Sequence, residues 1–102
     1  MGESRVIDEI VRVLVEHLQP ERIILFGSRA KTGEHGYSDF DIAIEGAVMD
    51  IREERIIKEI LDEKMAIYTV DLITLDKADE EFRKIVLKTG KVLYDRGSKV
   101  LT

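Results

Sequence analysis

A chain of 102 residues that is 44% apolar and 36% charged is expected to fold as one globular domain around a single hydrophobic core. Its net charge of −5 argues against a long nucleic acid as partner, because such partners are bound mainly through lysine and arginine. It has no cysteine, no apolar run of the roughly 20 residues that span a membrane and no signal-peptide layout, so we expect a cytoplasmic protein without disulfides.

The first predicted element is a helix from Ser4 to Leu18. Its apolar residues recur at the i, i+3, i+4 and i+7 positions of one helical face, namely Ile7, Ile10, Val11, Leu14 and Leu18. Ser4 is suited to cap the start, and Pro20 is expected to end the helix. His17 lies in the last turn, where a positive charge suits the helix dipole, and we interpret it as a surface residue.

Two strands are predicted next, separated by a polar loop. Ile23 to Phe26 is a continuous apolar run, which is typical of a central strand covered on both faces. The second strand begins at Asp39 and alternates between polar and apolar residues. Its apolar side chains should therefore share one face and enter the core; they are Phe40, Ile42 and Ile44.

A helix, a strand and another helix are predicted in the second half of the chain. Asp50 to Glu53 has the spacing of a capping box and should start a helix that runs to Lys64, with a buried stripe of Ile56, Ile57, Ile60 and Leu61. A β-branched, mostly apolar stretch from Tyr68 to Leu75 predicts a strand. The last helix should run from Ala78 to Lys88, with its inward residues at Phe82, Ile85 and Val86.

The C-terminal part should be short and extended. Gly90 is the expected stop of the last helix, residues 91–94 form a short strand, and residues 95–102 are expected to fray. The order of elements predicts an α/β or α+β fold with a small mixed sheet flanked by helices. We expect one domain over residues 1–102, with its core at about residues 4–94.

Three aspartates are candidates for a metal site. Asp39 and Asp41 should point to the same side of their strand, where two carboxylates repel each other unless a cation lies between them. Mg²⁺ is the expected cation, because it prefers oxygen ligands and is usually held by one or two carboxylates together with substrate phosphates. Asp71 is costly to bury in an apolar strand unless it is paired or ligates metal. Two alternatives are left open. Asp71 could lie on an edge strand with its carboxylate in water, or the whole motif could be a turn with solvent-facing acidic residues.

The turn at Gly27 and Ser28 is a candidate phosphate site. A glycine after a buried strand lets the backbone approach a ligand, and the N–H groups that open the next helix, predicted over residues 28–31, attract anions. Arg29 and Lys31 are candidate phosphate ligands or ordinary solvated charges. Residues 32–38 should form a glycine-bearing loop, and it stays open whether two of them contact a ligand, His35 and Tyr37.

Gly27-Ser28, ten intervening residues and Asp39-Phe40-Asp41 resemble the active-site signature of the nucleotidyltransferase superfamily that includes DNA polymerase beta. Asp71 lies where that family has a third carboxylate. The short chain is most similar to minimal nucleotidyltransferases, the MNT partners of HEPN/MNT toxin–antitoxin pairs. The resemblance implies the nucleotidyltransferase fold, with the three carboxylates meeting at one edge of the sheet.

The resemblance also implies a reaction. Asp39 and Asp41 would hold Mg²⁺ against a nucleoside triphosphate, ATP by expectation, and Asp71 would complete a second metal position and accept the proton of the acceptor hydroxyl. Gly27 and Ser28 would cradle the outer phosphates, and the family favours Lys31 over Arg29 as the basic ligand.

The expected acceptor is a hydroxyl of a cognate HEPN-type toxin, with which the protein would assemble. Two alternatives remain at this point. The domain could be a non-catalytic antitoxin that neutralises its partner by binding, or a nucleotide-binding subunit of a larger transferase.

Overall fold

The computed structural model describes residues 2–27, 39–65 and 68–97, without the side chains of residues 2–4, 39 and 65. Its elements, in chain order, are α1 (Gly2–Leu18), β1 (Arg22–Phe26), β2 (Asp39–Glu45), α2 (Ile51–Met65), β3 (Thr69–Thr74), a 3₁₀ turn (Leu75–Lys77), α3 (Glu80–Thr89) and β4 (Lys91–Asp95). Among these residues no helix is both long and apolar enough to cross a membrane.

The strands form one mixed four-stranded sheet in the order β3-β2-β1-β4. β1 is antiparallel to β2 and to β4, whereas β2 and β3 are parallel and are connected through α2. A helical crossover is the usual way to join parallel strands. The predicted mixed α/β fold is confirmed.

The sheet is covered on both faces, and alternation along the strands assigns residues to each. Helices α1 and α2 cover one face, on which α2 buries Ile57 and Leu61. The strand residues on this face are Ile23, Leu25, Phe40, Ile42, Ile44, Val70 and Leu72. On the other face, which we call the α3 face, Val86 packs in a smaller cluster with Ile24, Ala43 and Leu75, joined by Phe26, Ile73 and Ala78. β1 is therefore the central, doubly covered strand that its apolar run predicts.

Helix α1 ends at Leu18, as predicted. Gln19 follows it with a φ of 50° and donates its backbone N–H to the Val15 carbonyl at 3.1 Å, and Pro20 is buried. The helix begins at Gly2, two residues earlier than predicted, and its side chains before Arg5 lie outside the described residues.

Three residues that were predicted to be buried are exposed. Ile56 is 46% exposed, Phe82 37% and Ile85 56%. On α2, Ile57 and Leu61 are the buried residues, one turn apart, and Ile56 is rotated by about 100° from Ile57. On α3 only Val86 is buried. Both helices therefore bury a narrower stripe than their apolar pattern suggests.

The C-terminal strand extends beyond its predicted end. Asp95 pairs with Arg22 across the β4–β1 ladder, and the Arg96 backbone N–H donates to the Glu21 carbonyl at 2.8 Å. The predicted start of the frayed tail at Asp95 is therefore too early, because this segment is hydrogen-bonded to the sheet. Residues 98–102 lie outside the described part of the chain.

The capping box at the start of α2 is confirmed. The Glu53 backbone N–H donates to Asp50 Oδ1 at 2.7 Å, and the Asp50 backbone N–H donates to Glu53 Oε1 at 3.2 Å. The two side chains thus satisfy backbone donors that a helix start would leave without partners.

Replacing Asp50 with alanine should lower the free energy of unfolding by about 1 kcal/mol, because an N-cap acceptor is lost. Thermal unfolding should shift down by roughly 4–8 °C for a domain of this size. Asp62→Ala is the control, since Asp62 is exposed on the same helix far from its start. Equal shifts for the two variants would contradict the capping assignment.

Candidate active site

Two aspartates lie side by side on adjacent strands. The parallel ladder between β2 and β3 pairs Asp41 with Asp71. Residues in register on neighbouring strands project to the same face of a sheet. Asp41 precedes Ala43 by two positions, and Asp71 precedes Ile73 by two, so both carboxylates belong to the α3 face.

Solvent can reach this pair. Asp41 is partly exposed and Asp71 is exposed on β3, which is an edge strand of the sheet. The edge-strand alternative for Asp71 is therefore correct as a description of its position. The cost of burial therefore gives no support to Asp71 as a metal ligand, and its candidacy rests on its pairing with Asp41.

Gly27 lies directly against the Asp41 carboxylate. It follows Phe26, the residue that β1 pairs with Asp41, and it has a φ of +82°. A Cβ atom at this position would stand 2.5 Å from Asp41 Oδ2, closer than such atoms can approach. Both the backbone conformation and the space demand glycine here. Gly27 just after β1, Asp41 on β2 and Asp71 on β3 therefore follow one another across the sheet, and we call these three residues the aspartate row.

The remaining predicted site residues are only partly described. The Asp39 backbone is in β2, where it pairs with Thr69, and its side chain lies outside the described residues. Ser28, Arg29 and Lys31 fall in the segment 28–38, which also lies outside, as do His35 and Tyr37. Their roles stay predictions.

The donor types of the described side chains can be compared with those that Mg²⁺ prefers. Among them no three acidic, histidine or cysteine groups are arranged to hold a metal. Asp41 and Asp71 nevertheless offer carboxylate oxygens side by side, which is the donor type that Mg²⁺ takes from proteins while keeping positions for water and phosphate. The residues present therefore fit this ion, with Asp39 as the predicted third carboxylate.

A separate hollow lies at the other end of β1. It measures about 590 Å³ and is lined by Glu21, Arg22, Asp95, Arg96 and Gly97. Arg22 pairs with Glu45 across the ladder, whereas the catalytic candidates lie beside Phe26 at the opposite end of the same strand. Its lining is largely charged side chains, and it does not share a residue with the aspartate row.

One aromatic contact near the aspartates was not anticipated from the sequence. The rings of Phe26 and Phe82 meet edge to face, with centroids 5.7 Å apart. The apolar pattern of α3 predicts Phe82 in the core, but it is 37% exposed. The apolar period of α3 cannot distinguish a core residue from one at the rim of a site, so no signal in the sequence identified it.

The mixed sheet and the order of its helices and strands are those of the nucleotidyltransferase fold. The chain belongs to the family described as "Polymerase beta, Nucleotidyltransferase", whose model matches residues 8–99. The resemblance inferred from the motif is confirmed. A Haemophilus influenzae protein named "Probable protein adenylyltransferase MntA" is 31% identical over 93 residues, which cover 89% of this chain and 82% of that protein.

Several solved structures share the fold, and two of them are toxin–antitoxin complexes. A crystal structure of a toxin–antitoxin with AMP-PNP superposes with a TM-score of 0.74 and 26% identity, over 87% of this chain and 73% of the other. A complex of tri-AMPylated Shewanella oneidensis HEPN toxin with MNT antitoxin gives a TM-score of 0.72 and 25% identity, over 96% of this chain and 76% of the other.

Proposed function

We propose that this protein is an adenylyltransferase that moves AMP from ATP to a hydroxyl of a HEPN-type toxin and thereby acts as its antitoxin. The observation that carries the proposal is that Gly27, Asp41 and Asp71 are neighbours. Gly27 is so close to Asp41 that a Cβ atom added to it would stand 2.5 Å from Asp41 Oδ2. The named activity of the H. influenzae relative supports AMP transfer to protein. The AMP-PNP and tri-AMPylated toxin complexes support the nucleotide and the acceptor.

Each candidate site residue has a proposed task. Asp39 and Asp41 would hold Mg²⁺ against the triphosphate, and Asp71 would complete a second metal position. Bound Mg²⁺ would supply neutralisation of the charge that develops on the phosphate oxygens. Gly27 and Ser28 would cradle the outer phosphates through backbone N–H groups, with Lys31, or less favourably Arg29, as the basic ligand.

The reaction is an in-line displacement at the α-phosphorus. The acceptor oxygen forms a bond to the α-phosphorus. At the same time the bond between the α-phosphorus and the bridging oxygen breaks, and pyrophosphate leaves with that oxygen. The acceptor proton passes to the Asp71 carboxylate. Exposure of Asp71 on the edge strand lets a segment of another protein reach it.

The charge of the domain suits the proposed partner. Its net charge of −5 complements a basic, RNA-cleaving protein, and such complementarity speeds encounter more than it raises affinity. An AMP group on the toxin would bring a negative phosphate and a bulky base into an RNA-binding groove, where like charge repels the RNA. ATP, the proposed substrate of this protein, and RNA, the substrate of the proposed partner, are both found in the cytoplasm. We therefore propose a cytoplasmic location.

Labelled ATP tests this proposal. With Mg²⁺ and a HEPN-type toxin as acceptor, label from the α-phosphate should appear on the toxin, whereas label from the γ-phosphate should leave with pyrophosphate. Chelation by EDTA should remove the signal, and added Mg²⁺ should restore it. Transfer of γ-label would indicate a kinase, and absence of both labels would contradict a transferase of this acceptor.

A further inference from the structure

An aromatic surface stands beside the aspartate row. The Phe82 ring contacts Phe26 edge to face at a centroid distance of 5.7 Å and an interplanar angle of 87°. Phe82 is 37% exposed, and Ile85, three residues later on α3, is 56% exposed. Residues three apart on a helix lie on the same side, so the two side chains form one apolar surface that faces solvent.

This surface shares a face of the sheet with the catalytic candidates. Phe26 belongs to the cluster on the α3 face, and its ladder partner is Asp41. Helix α3 is held firmly in this position. Val86 is 1% exposed, and Gly90 lies so close to β1 that a Cβ atom there would stand 2.5 Å from Ile24 Cγ2.

The chemistry of the proposed reaction directs the nucleoside away from the row. In an in-line displacement the attacking and leaving oxygens lie on opposite sides of the phosphorus. With outer phosphates at Gly27 and the acceptor at Asp71, this axis runs across the strands. The ribose oxygen is then bound to the phosphorus at an equatorial position, so the nucleoside projects sideways from the axis. On the α3 face, the exposed ring of Phe82 packs on Phe26, which is the ladder partner of Asp41.

We propose that Phe82, supported by Phe26 and flanked by Ile85, is the platform on which the base of the nucleoside triphosphate stacks. The proposal rests on the proposed function, since it assigns the base-binding part of the same site. A base has a flat π-face that stacks on aromatic side chains without requiring hydrogen bonds. Purines should bind more tightly than pyrimidines, because their stacking area is larger.

Binding of ATP and of inorganic tripolyphosphate, measured by calorimetry with Mg²⁺, separates base from phosphate. Phe82→Ala should weaken ATP binding roughly 5- to 150-fold, the range for loss of one stacked base, and should leave tripolyphosphate binding unchanged. Phe82→Leu keeps apolar packing against Phe26 and should show the same split, which guards against a folding defect. Phe82→Trp should retain ATP affinity.

Leu87→Ala is the matched control. Leu87 is also on α3 and is 41% exposed, but it is rotated by about 140° from Phe82 around the helix axis. Its replacement should change neither affinity. A loss of ATP affinity equal to that of Phe82→Ala would contradict a local platform.

Three further results would overturn the assignment. Normal ATP binding by Phe82→Leu and Phe82→Ala would exclude stacking, and equal weakening of ATP and tripolyphosphate would show a structural role. Normal ATP binding with reduced labelling of the toxin would assign the surface to the acceptor instead. If the wild-type protein binds neither ATP nor tripolyphosphate, the proposed function itself fails, and this outcome is distinct from a defect confined to the variants.

Discussion

Replacing Gly27 with alanine is expected to abolish AMP transfer and to lower the free energy of unfolding by about 1–2 kcal/mol, the usual penalty of a left-handed conformation for a residue with a side chain. The backbone φ is +82°, and the new Cβ atom would stand 2.5 Å from Asp41 Oδ2. Either the turn or the carboxylate must move. Valine at this position should have a still larger effect, because its branched side chain would also occupy the proposed phosphate position.

Gly46→Ala provides the control for backbone strain. Gly46 has a φ of +83°, and its added Cβ would stand 2.5 Å from Glu21 Cγ, but it follows β2 at the end away from Asp41. Unfolding experiments should show a similar loss of stability, with transfer retained. An equal loss of transfer at Gly46 would contradict the specific role of Gly27.

The neighbouring serine distinguishes backbone from side-chain contacts. Ser28→Ala keeps the backbone N–H groups of the turn, so triphosphate affinity measured by calorimetry should fall far less than it does for Gly27→Val. The reverse order would assign phosphate binding to the serine hydroxyl.

Local patterns in the sequence were sufficient to predict most of the fold. Alternation in β2 correctly placed Phe40, Ile42 and Ile44 in the core, and the reciprocal bonds between Asp50 and Glu53 follow directly from their spacing. Such features depend on residues close together in the chain. Burial on α2 and α3 depends instead on how much of each helix the sheet covers, which explains why Ile56 and Ile85 were misassigned.

In the candidate site, too, some features follow from residues close together in the chain and others depend on how the strands pack. The motif identifies Gly27 and the aspartates as residues of interest, but spacing alone does not reveal strand register. Pairing of Asp41 with both Phe26 and Asp71 arises from the packing of three strands. The contact of Phe82 with Phe26 joins residues far apart in the chain, and no periodicity reports it.

Asp41→Asn should reduce AMP transfer by at least about a thousandfold, because several kcal/mol of charge stabilisation at the phosphates would be lost with the carboxylate. Without metal, the variant should stay folded, since the substitution removes the repulsion between the Asp41 and Asp71 carboxylates, which are ladder partners on neighbouring strands. Thermal unfolding in EDTA and labelling with α-labelled ATP measure the two effects.

Asp62→Asn is the matched charge control. Asp62 is exposed on α2, and its replacement removes the same charge from a surface that the aspartate row does not include. Transfer should stay at the wild-type level. Near-normal transfer by Asp41→Asn, or a comparable loss in Asp62→Asn, would contradict the assignment of Asp41 to the catalytic site.

Mass spectrometry of the co-expressed HEPN-type partner tests most directly whether the protein neutralises a toxin by adenylylation. The partner should carry one or more AMP-sized additions with the wild-type protein and none with Asp39→Asn or Asp41→Asn, and toxicity should return with these variants. An unmodified partner that is still neutralised by Asp39→Asn would contradict this mechanism and would show that binding alone silences the toxin.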